Sequence, residues 1–171
     1  MQESHKLIVM RHAKAGELPG GPDFERALRP RGKRDSAAAG RWLSASGLRP
    51  DLVLCSAARR TRQTWQYLSA ALPPGSPPEF VADRRLYDAD GDDVADILRA
   101  AGGDAATILY IGHNPAAACL VGLLTGTEPV FPTAAVAVIG FQASWAELPA
   151  GAGELLAYWT PAGQNPAPQA G

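Results

Sequence analysis

The chain has 171 residues, 46% of them hydrophobic and 19% charged, with a formal net charge of −1. That length suits one domain with a self-sufficient core, and the composition is that of a soluble globular chain. The near-zero charge removes any global pull toward nucleic acid or an anionic membrane, and no apolar run approaches the roughly 20 residues of a membrane span. No long apolar segment opens the chain, so export is not expected and a cytoplasmic protein is. Cys55 and Cys119 lie far apart inside apolar runs, which favours two buried thiols over a disulfide framework.

Residues 1–5 are expected to be a mobile start, with His5 solvated. Leu7-Ile8-Val9-Met10 then runs straight into Arg11-His12. A short, wholly apolar run reads as a strand buried on both faces, here Lys6 to Arg11. Its charged end belongs at the carboxyl edge of a sheet, where open α/β sheets bind ligands. Gly16 to Arg29 is rich in Gly, Pro and charge and reads as a loop. Pro30 suits the first turn of a helix running to about Ser46, stopped by Gly47. Leu52 to Cys55 is a second buried strand, and Ser56 is expected to N-cap a helix from Ala57 to about Leu72. In that helix Trp65, Leu68 and Leu72 share one face. Trp42, Trp65 and Phe24 read as packing residues.

After the stiff connector PPGSPP, Phe80 to Ala82 reads as a short strand. A helix is expected from about Asp92 to Ala101, a strand over Thr107 to Ile111, and a helix from Pro115 to about Leu124. Ala134 to Phe141 and Glu154 to Trp159 read as two closing strands, taken as antiparallel. The tail from Pro161 to Gly171 has a disordered composition. The alternation predicts one α/β domain over residues 1–160, with a mostly parallel sheet and helices on both faces.

Three strands end in polar signatures: Arg11-His12, then Ser56 with Arg59-Arg60 close behind, then Gly112-His113-Asn114. In a parallel sheet all three meet at one edge. Two imidazoles among guanidiniums suit a dianionic phosphoryl group. The positive charge also disfavours imidazolium, keeping His12 neutral and nucleophilic, and it stabilises the equatorial oxygens of a phosphoryl group in transit. Arg60 falls in the first turn of its helix, where a cation opposes the macrodipole unless an anion is bound. Arg59 and Arg62 read as solvated or paired. No Cys/His spacing suggests a zinc site.

These motifs resemble the histidine phosphatase superfamily. Arg11-His12-Ala13 stands where that family has Arg-His-Gly. Ser56, Arg60 and Thr61 match its second signature, and Gly112-His113 its third. The opening Arg-His-Ala-Lys-Ala, Asp23-Phe24-Glu25-Arg26, Pro30-Arg31-Gly32, Leu86-Tyr87 and Gly112-His113-Asn114-Pro115 look most like the SixA-type phosphohistidine phosphatases. The resemblance implies a phosphoglycerate-mutase-like fold in which His12 attacks phosphorus and becomes a transient phosphohistidine, with no metal or organic cofactor. Arg11, Arg60 and His113, with Asn114 beside them, would hold the phosphoryl oxygens.

Only 56 residues separate Ser56 from His113, leaving little material for a lid, so an open site suited to a phosphorylated protein is expected. The expected partner is an acidic phosphohistidine carrier domain, docked on a basic rim of Arg26, Arg29, Arg31, Lys33 and Arg34, with Arg26 the leading contact. Asp88 is the one candidate for a general acid. If it serves, the rival reading is a small-molecule phosphomonoesterase. A non-catalytic phosphate-binding module is the third reading. No exposed amphipathic stripe asks for a partner, so a monomer is expected.

Overall fold

The computed structural model describes residues 4–148 and 150–163. Residues 1–3 and 164–171, which hold most of the expected mobile start and tail, lie outside that range. Six strands make one sheet: β1 (His5–Arg11), β2 (Leu52–Ser56), β3 (Glu79–Asp83), β4 (Thr107–Gly112), β5 (Val136–Phe141) and β6 (Glu154–Trp159). Their order is β3-β2-β4-β1-β5-β6. The first four run parallel. β5 pairs antiparallel with β1, and β6 antiparallel with β5, as the two closing strands were expected to do.

Four helices cover the sheet: α1 (Pro30–Ala45), α2 (Arg59–Ser69), α3 (Gly91–Ala101) and α4 (Ala116–Thr125). Each central strand splits its side chains between two layers, as period-two alternation requires. Leu7 and Val9 of β1 and Ile108 and Tyr110 of β4 face the layer that α3 and α4 close. Ile8 and Met10 of β1 and Leu109 and Ile111 of β4 face the layer that α1 and α2 close. The strands buried on both faces are thus the ones whose sequences are unbroken apolar runs. Leu43 and Leu68 are fully buried in the α1/α2 layer, each contributing about 1.5–3 kcal/mol of transfer free energy.

The helix ends follow local chemistry. Pro30 is the first residue of α1, and Gly47 lies just past its end at φ 69°. Asp90 and Asp93 form a reciprocal capping box at α3. Gly32 lets the first turn of α1 lie against the chain leaving β1, because a Cβ there would collide with the Lys14 carbonyl.

Four expectations are corrected. Ser56 is the last residue of β2, and Ala58 occupies the N-cap of α2 with no side-chain cap. That helix stops at Ser69, short of Leu72. His5 is not solvated: it begins β1, is buried, and stacks on Phe141 at 5.5 Å with its edge toward Trp145. Cys55 is buried as expected, but Cys119 is exposed on the outer side of α4, its thiol near the Glu128 carboxylate.

The order of the strands fixes where a site can form. β1 and β4 are neighbours, yet the helix after β1 lies on one face and the helix after β4 on the other. The carboxyl ends of this pair are the switch point of an open sheet, where a crevice opens.

Candidate active site

His12 follows β1 and His113 follows β4, so both fall in that crevice. Their ring centroids are 5.3 Å apart. The His12 backbone N–H donates to the Gly112 carbonyl at 2.9 Å, which continues the β1–β4 pairing to the residue that matters. The side chain is only 8% exposed. Its Nδ1 lies 2.8 Å from the Ala13 carbonyl. A carbonyl can only accept, so the proton sits on Nδ1 and Nε2 keeps a free lone pair. Burial first, against the opposing hydrogen bond to Ala13, and then the neighbouring His113 and the charges of Arg60 and Arg11 push the His12 pKa down to about 3. The ring is therefore neutral and nucleophilic at physiological pH. Beneath it the Ala13 N–H donates to Thr64 Oγ1 at 3.0 Å, and Thr64 in turn donates to the Arg60 carbonyl. Helix α2 thus holds the loop after β1.

His113 is half-buried. Its Nε2 lies 2.8 Å from Ser56 Oγ, and its Nδ1 lies 3.4 Å from an Arg60 Nη2 donor. Burial, followed by the Arg60 charge, lowers its pKa to about 4. Arg60 is 6% exposed, and it is the residue that joins the parts. One Nη1 donates to the Asp23 carbonyl at 2.9 Å and one Nη2 to Asp23 Oδ2 at 3.0 Å. Arg11 donates through Nη1 to the Phe131 carbonyl at 3.1 Å. The Nε atoms of both arginines are buried without a partner among the described residues. Two guanidiniums with unused donors, both close enough for their charge to act on His12, suit a tetrahedral oxyanion.

The mouth of the site comes from the loop between β1 and α1. A 3-10 turn over Asp23–Glu25 presents Asp23, whose Oδ1 accepts from Arg26 Nε at 2.8 Å and whose Oδ2 accepts from the Tyr87 hydroxyl. These donors, Tyr87 first, pull the Asp23 carboxyl down to about 2, so it is an anion at any working pH. Tyr87 stands edge-on to His113 at 5.6 Å and to Phe24 at 5.0 Å, and Arg84 lies over the Phe24 ring.

The crevice therefore gathers Arg11, His12, Arg60 and His113. Two other expected residues are engaged elsewhere. Asn114 is exposed, donates to the Phe131 carbonyl at 2.8 Å and accepts from Ala118 N–H in the first turn of α4. Asp88 is exposed, in a depression lined by Arg85, Ala89, Asp93, Asp96 and Ile97. Arg26 ties Asp23 to the Gly16 carbonyl, so it builds the mouth rather than standing free on a rim. Arg31 pairs with Asp35 and Lys33 lies over Tyr67, while Arg29, Arg34, Arg59 and Arg62 are exposed. Sequence reasoning missed Asp23 and Tyr87 as members of the site. The available signal was a lone Phe in a charged loop, flanked by an Asp and an Arg three apart.

Residues 7–101 match the histidine phosphatase superfamily (branch 1), and the chain belongs to that superfamily. Within it the chain falls in the SixA-type branch. The SixA protein of Nakamurella multipartitia has a TM-score of 0.82 at 28% identity, covering 92% of this chain and 96% of that one. The protein histidine phosphatase SixA complexed with tungstate has a TM-score of 0.77 at 26% identity, covering 92% and 97%. An uncharacterized protein of Mycobacterium tuberculosis is 33% identical over 163 residues, which are 89% of this chain and 99% of that protein. The protein is a phosphatase of the histidine-nucleophile kind.

Proposed function

We propose that the protein hydrolyses the phosphorus–nitrogen bond of phosphohistidine on a protein. His12 Nε2 attacks phosphorus while Arg11, Arg60 and His113 hold the equatorial oxygens. The P–N bond breaks, its electron pair returns to the leaving ring nitrogen, and water then hydrolyses the phosphoryl group from His12. The unpartnered Nε donors of Arg11 and Arg60 support the oxyanion role, as does the tungstate, a tetrahedral oxyanion, held by the SixA relative.

The observation that carries the choice of bond is the state of the site's carboxylate. An alkoxide leaving group needs a proton from an acid, whereas a ring nitrogen is easier to expel. Asp23 is the carboxyl hydrogen-bonded into the site, and three donors hold it ionised. Asp88 faces a separate depression. An acid poised for ester cleavage would instead have a raised pKa. The protein substrate is supported by the short span between β2 and β4. It holds only α2, β3, one 3-10 turn and α3, with no inserted lid among the described residues.

The test is phosphate release from a histidine-phosphorylated carrier protein without added metal, wild type beside His12→Ala. Rapid release that vanishes in the variant, on the order of 10^4-fold or more, is the expected result. If the carrier is untouched while p-nitrophenyl phosphate is hydrolysed through His12, the substrate is a small ester. Inactivity of the wild type on both would leave a phosphate-binding module.

A further inference from the structure

Asp23 is held by more contacts than the support of one arginine requires, and it stands in a particular place. His12 lies at the floor of the crevice, 8% exposed, whereas the Asp23 side chain is 51% exposed at the mouth. Asp23 bonds the Arg60 guanidinium, which also reaches His113 Nδ1, and the His113 ring lies 5.3 Å from that of His12. In an in-line displacement the leaving group departs on the side of phosphorus away from the nucleophile, which here is toward the mouth. A group bonded to Arg60 on its solvent side therefore faces the leaving group.

The acceptor count of Asp23 is incomplete. A carboxylate offers about four lone-pair positions. At Oδ2, Arg60 Nη2 and the Tyr87 hydroxyl take two. At Oδ1, Arg26 Nε takes one. One position on Oδ1 remains. Beside it, the Tyr87 and Phe24 rings meet edge to face at 5.0 Å and offer an aromatic wall to a flat ring.

We infer that Asp23 selects nitrogen-linked phosphoryl groups, its remaining Oδ1 lone pair accepting the N–H of the leaving imidazole. The inference deepens the phosphohistidine reading above and rests on it. The chemistry balances without any proton transfer. A phosphoimidazole protonated on its second nitrogen carries a positive ring. His12 Nε2 forms the new P–N bond as the old one breaks, and the electron pair goes to the departing nitrogen. The ring leaves neutral, keeping its proton. The anionic Asp23 stabilises the protonated ring before departure. The same anion opposes an ester, because it faces a developing alkoxide and has no proton to give. Tyr87, Arg60 and Arg26 keep it anionic across the working range, so the preference is built into the hydrogen bonding.

The experiment measures kcat/KM on N-phosphoimidazole, on a histidine-phosphorylated carrier protein and on p-nitrophenyl phosphate, together with the pH profile of kcat, which reports ionisations in the bound complex. It compares wild type, Asp23→Asn and Tyr87→Phe, with thermal melts to check folding. Asp23→Asn is expected to lower the ratio of phosphoimidazole to p-nitrophenyl phosphate turnover by about tenfold or more, the size of one charge-assisted hydrogen bond. It also moves the alkaline fall of the phosphoimidazole profile to lower pH. Tyr87→Phe keeps the carboxylate but removes one of the donors that hold it ionised, and is expected to lower the ratio less than Asp23→Asn does. Equal losses on all three substrates with an unmoved profile would reduce Asp23 to a support for Arg60 and overturn the inference, leaving the protein-substrate reading intact. An Asp23-dependent ratio with an untouched carrier protein would keep the inference and remove the protein substrate. Turnover of p-nitrophenyl phosphate alone would remove both. The wild-type profile decides even if Asp23→Asn fails to fold. An alkaline fall at the ring pKa of free phosphoimidazole, with no upward displacement, refutes the role.

Discussion

At the floor of the site, a histidine is 8% exposed, bonded through its side chain to a backbone carbonyl, and uncharged near neutrality. At the mouth, an aspartate side chain is 51% exposed, bonded by two arginines and a tyrosine, and fully charged. Both groups have pKa values pushed down, for different reasons. His12 is lowered because burial penalises imidazolium. Asp23 is lowered because donors stabilise carboxylate, against a smaller opposing effect of burial. The floor is set by removing water and the mouth by adding donors. Chemistry that needs a neutral nucleophile beneath an anionic rim follows from that pairing, and each half can be disturbed separately.

The most severe disturbance removes the residue common to both halves. Arg60→Ala is expected to lower kcat by about 10^2–10^3-fold, the usual cost of losing one preorganised donor to a charged transition state. Arg60→Lys restores little of it, because a point charge cannot fork between Asp23 and the site. Near-normal turnover in Arg60→Ala would mean that floor and mouth work independently.

Acid disturbs the floor selectively. His12 and His113 have folded pKa values of about 3 and about 4, below the 6.5 of an ordinary imidazole. As pH falls below 6.5, the unfolded chain takes up these protons first. Stability is therefore complete above that pH and declines as pH falls toward about 4. The slope is about 1.4 kcal/mol per pH unit for each histidine. Urea midpoints at pH 7, 5.5 and 4.5 measure it, and replacing either histidine should flatten the curve. A flat wild-type curve would refute the account of the floor.

The smallest change tests what lies under the nucleophile. Thr64→Val is nearly isosteric but leaves the buried Ala13 N–H without an acceptor. It should cost about 1–3 kcal/mol of stability, read from a denaturant midpoint, and turnover should fall through displacement of His12. The mouth is untouched by it, so an altered Asp23-dependent substrate ratio in Thr64→Val would blur the division drawn here.

Much of the floor was legible in the chain. β1, β2 and β4 are buried on both faces, which forces continuous apolar runs, and their polar ends then stand out as Arg11-His12, Ser56 and Gly112-His113. The mouth was not legible, because its bonds are made at distance: Asp23 reaches Arg60 across 37 positions and Tyr87 across 64. The Asp23-Phe24-Glu25-Arg26 run is a faint local mark beside Asp88, which the chain places directly after a strand. His5 was misjudged because nearness to the terminus suggested solvent, while pairing with Phe141 in β5 buries it. Cys119 was misjudged because α4 is apolar on nearly every side, so its outward face leaves no polar trace.

One backbone atom has a wider reach than its anonymity suggests. The Phe131 carbonyl accepts from Arg11 at the end of β1 and from Asn114 just after β4. The segment carrying it is fastened one residue earlier by the Tyr158 hydroxyl on the Val130 carbonyl. The spacing between the two halves of the catalytic crevice is thus gauged against a peptide plane in a stretch that contributes no reactive side chain. Such a stretch works as a ruler. Its lettering can change at exposed positions such as Val130, 85% exposed, though not at the buried Phe131, Ala134 and Ala135, and its length cannot change. Drift at the exposed positions between α4 and β5 should be silent, and a single insertion or deletion there should misalign His12, whose carbonyl accepts from the Ala134 N–H at 3.1 Å.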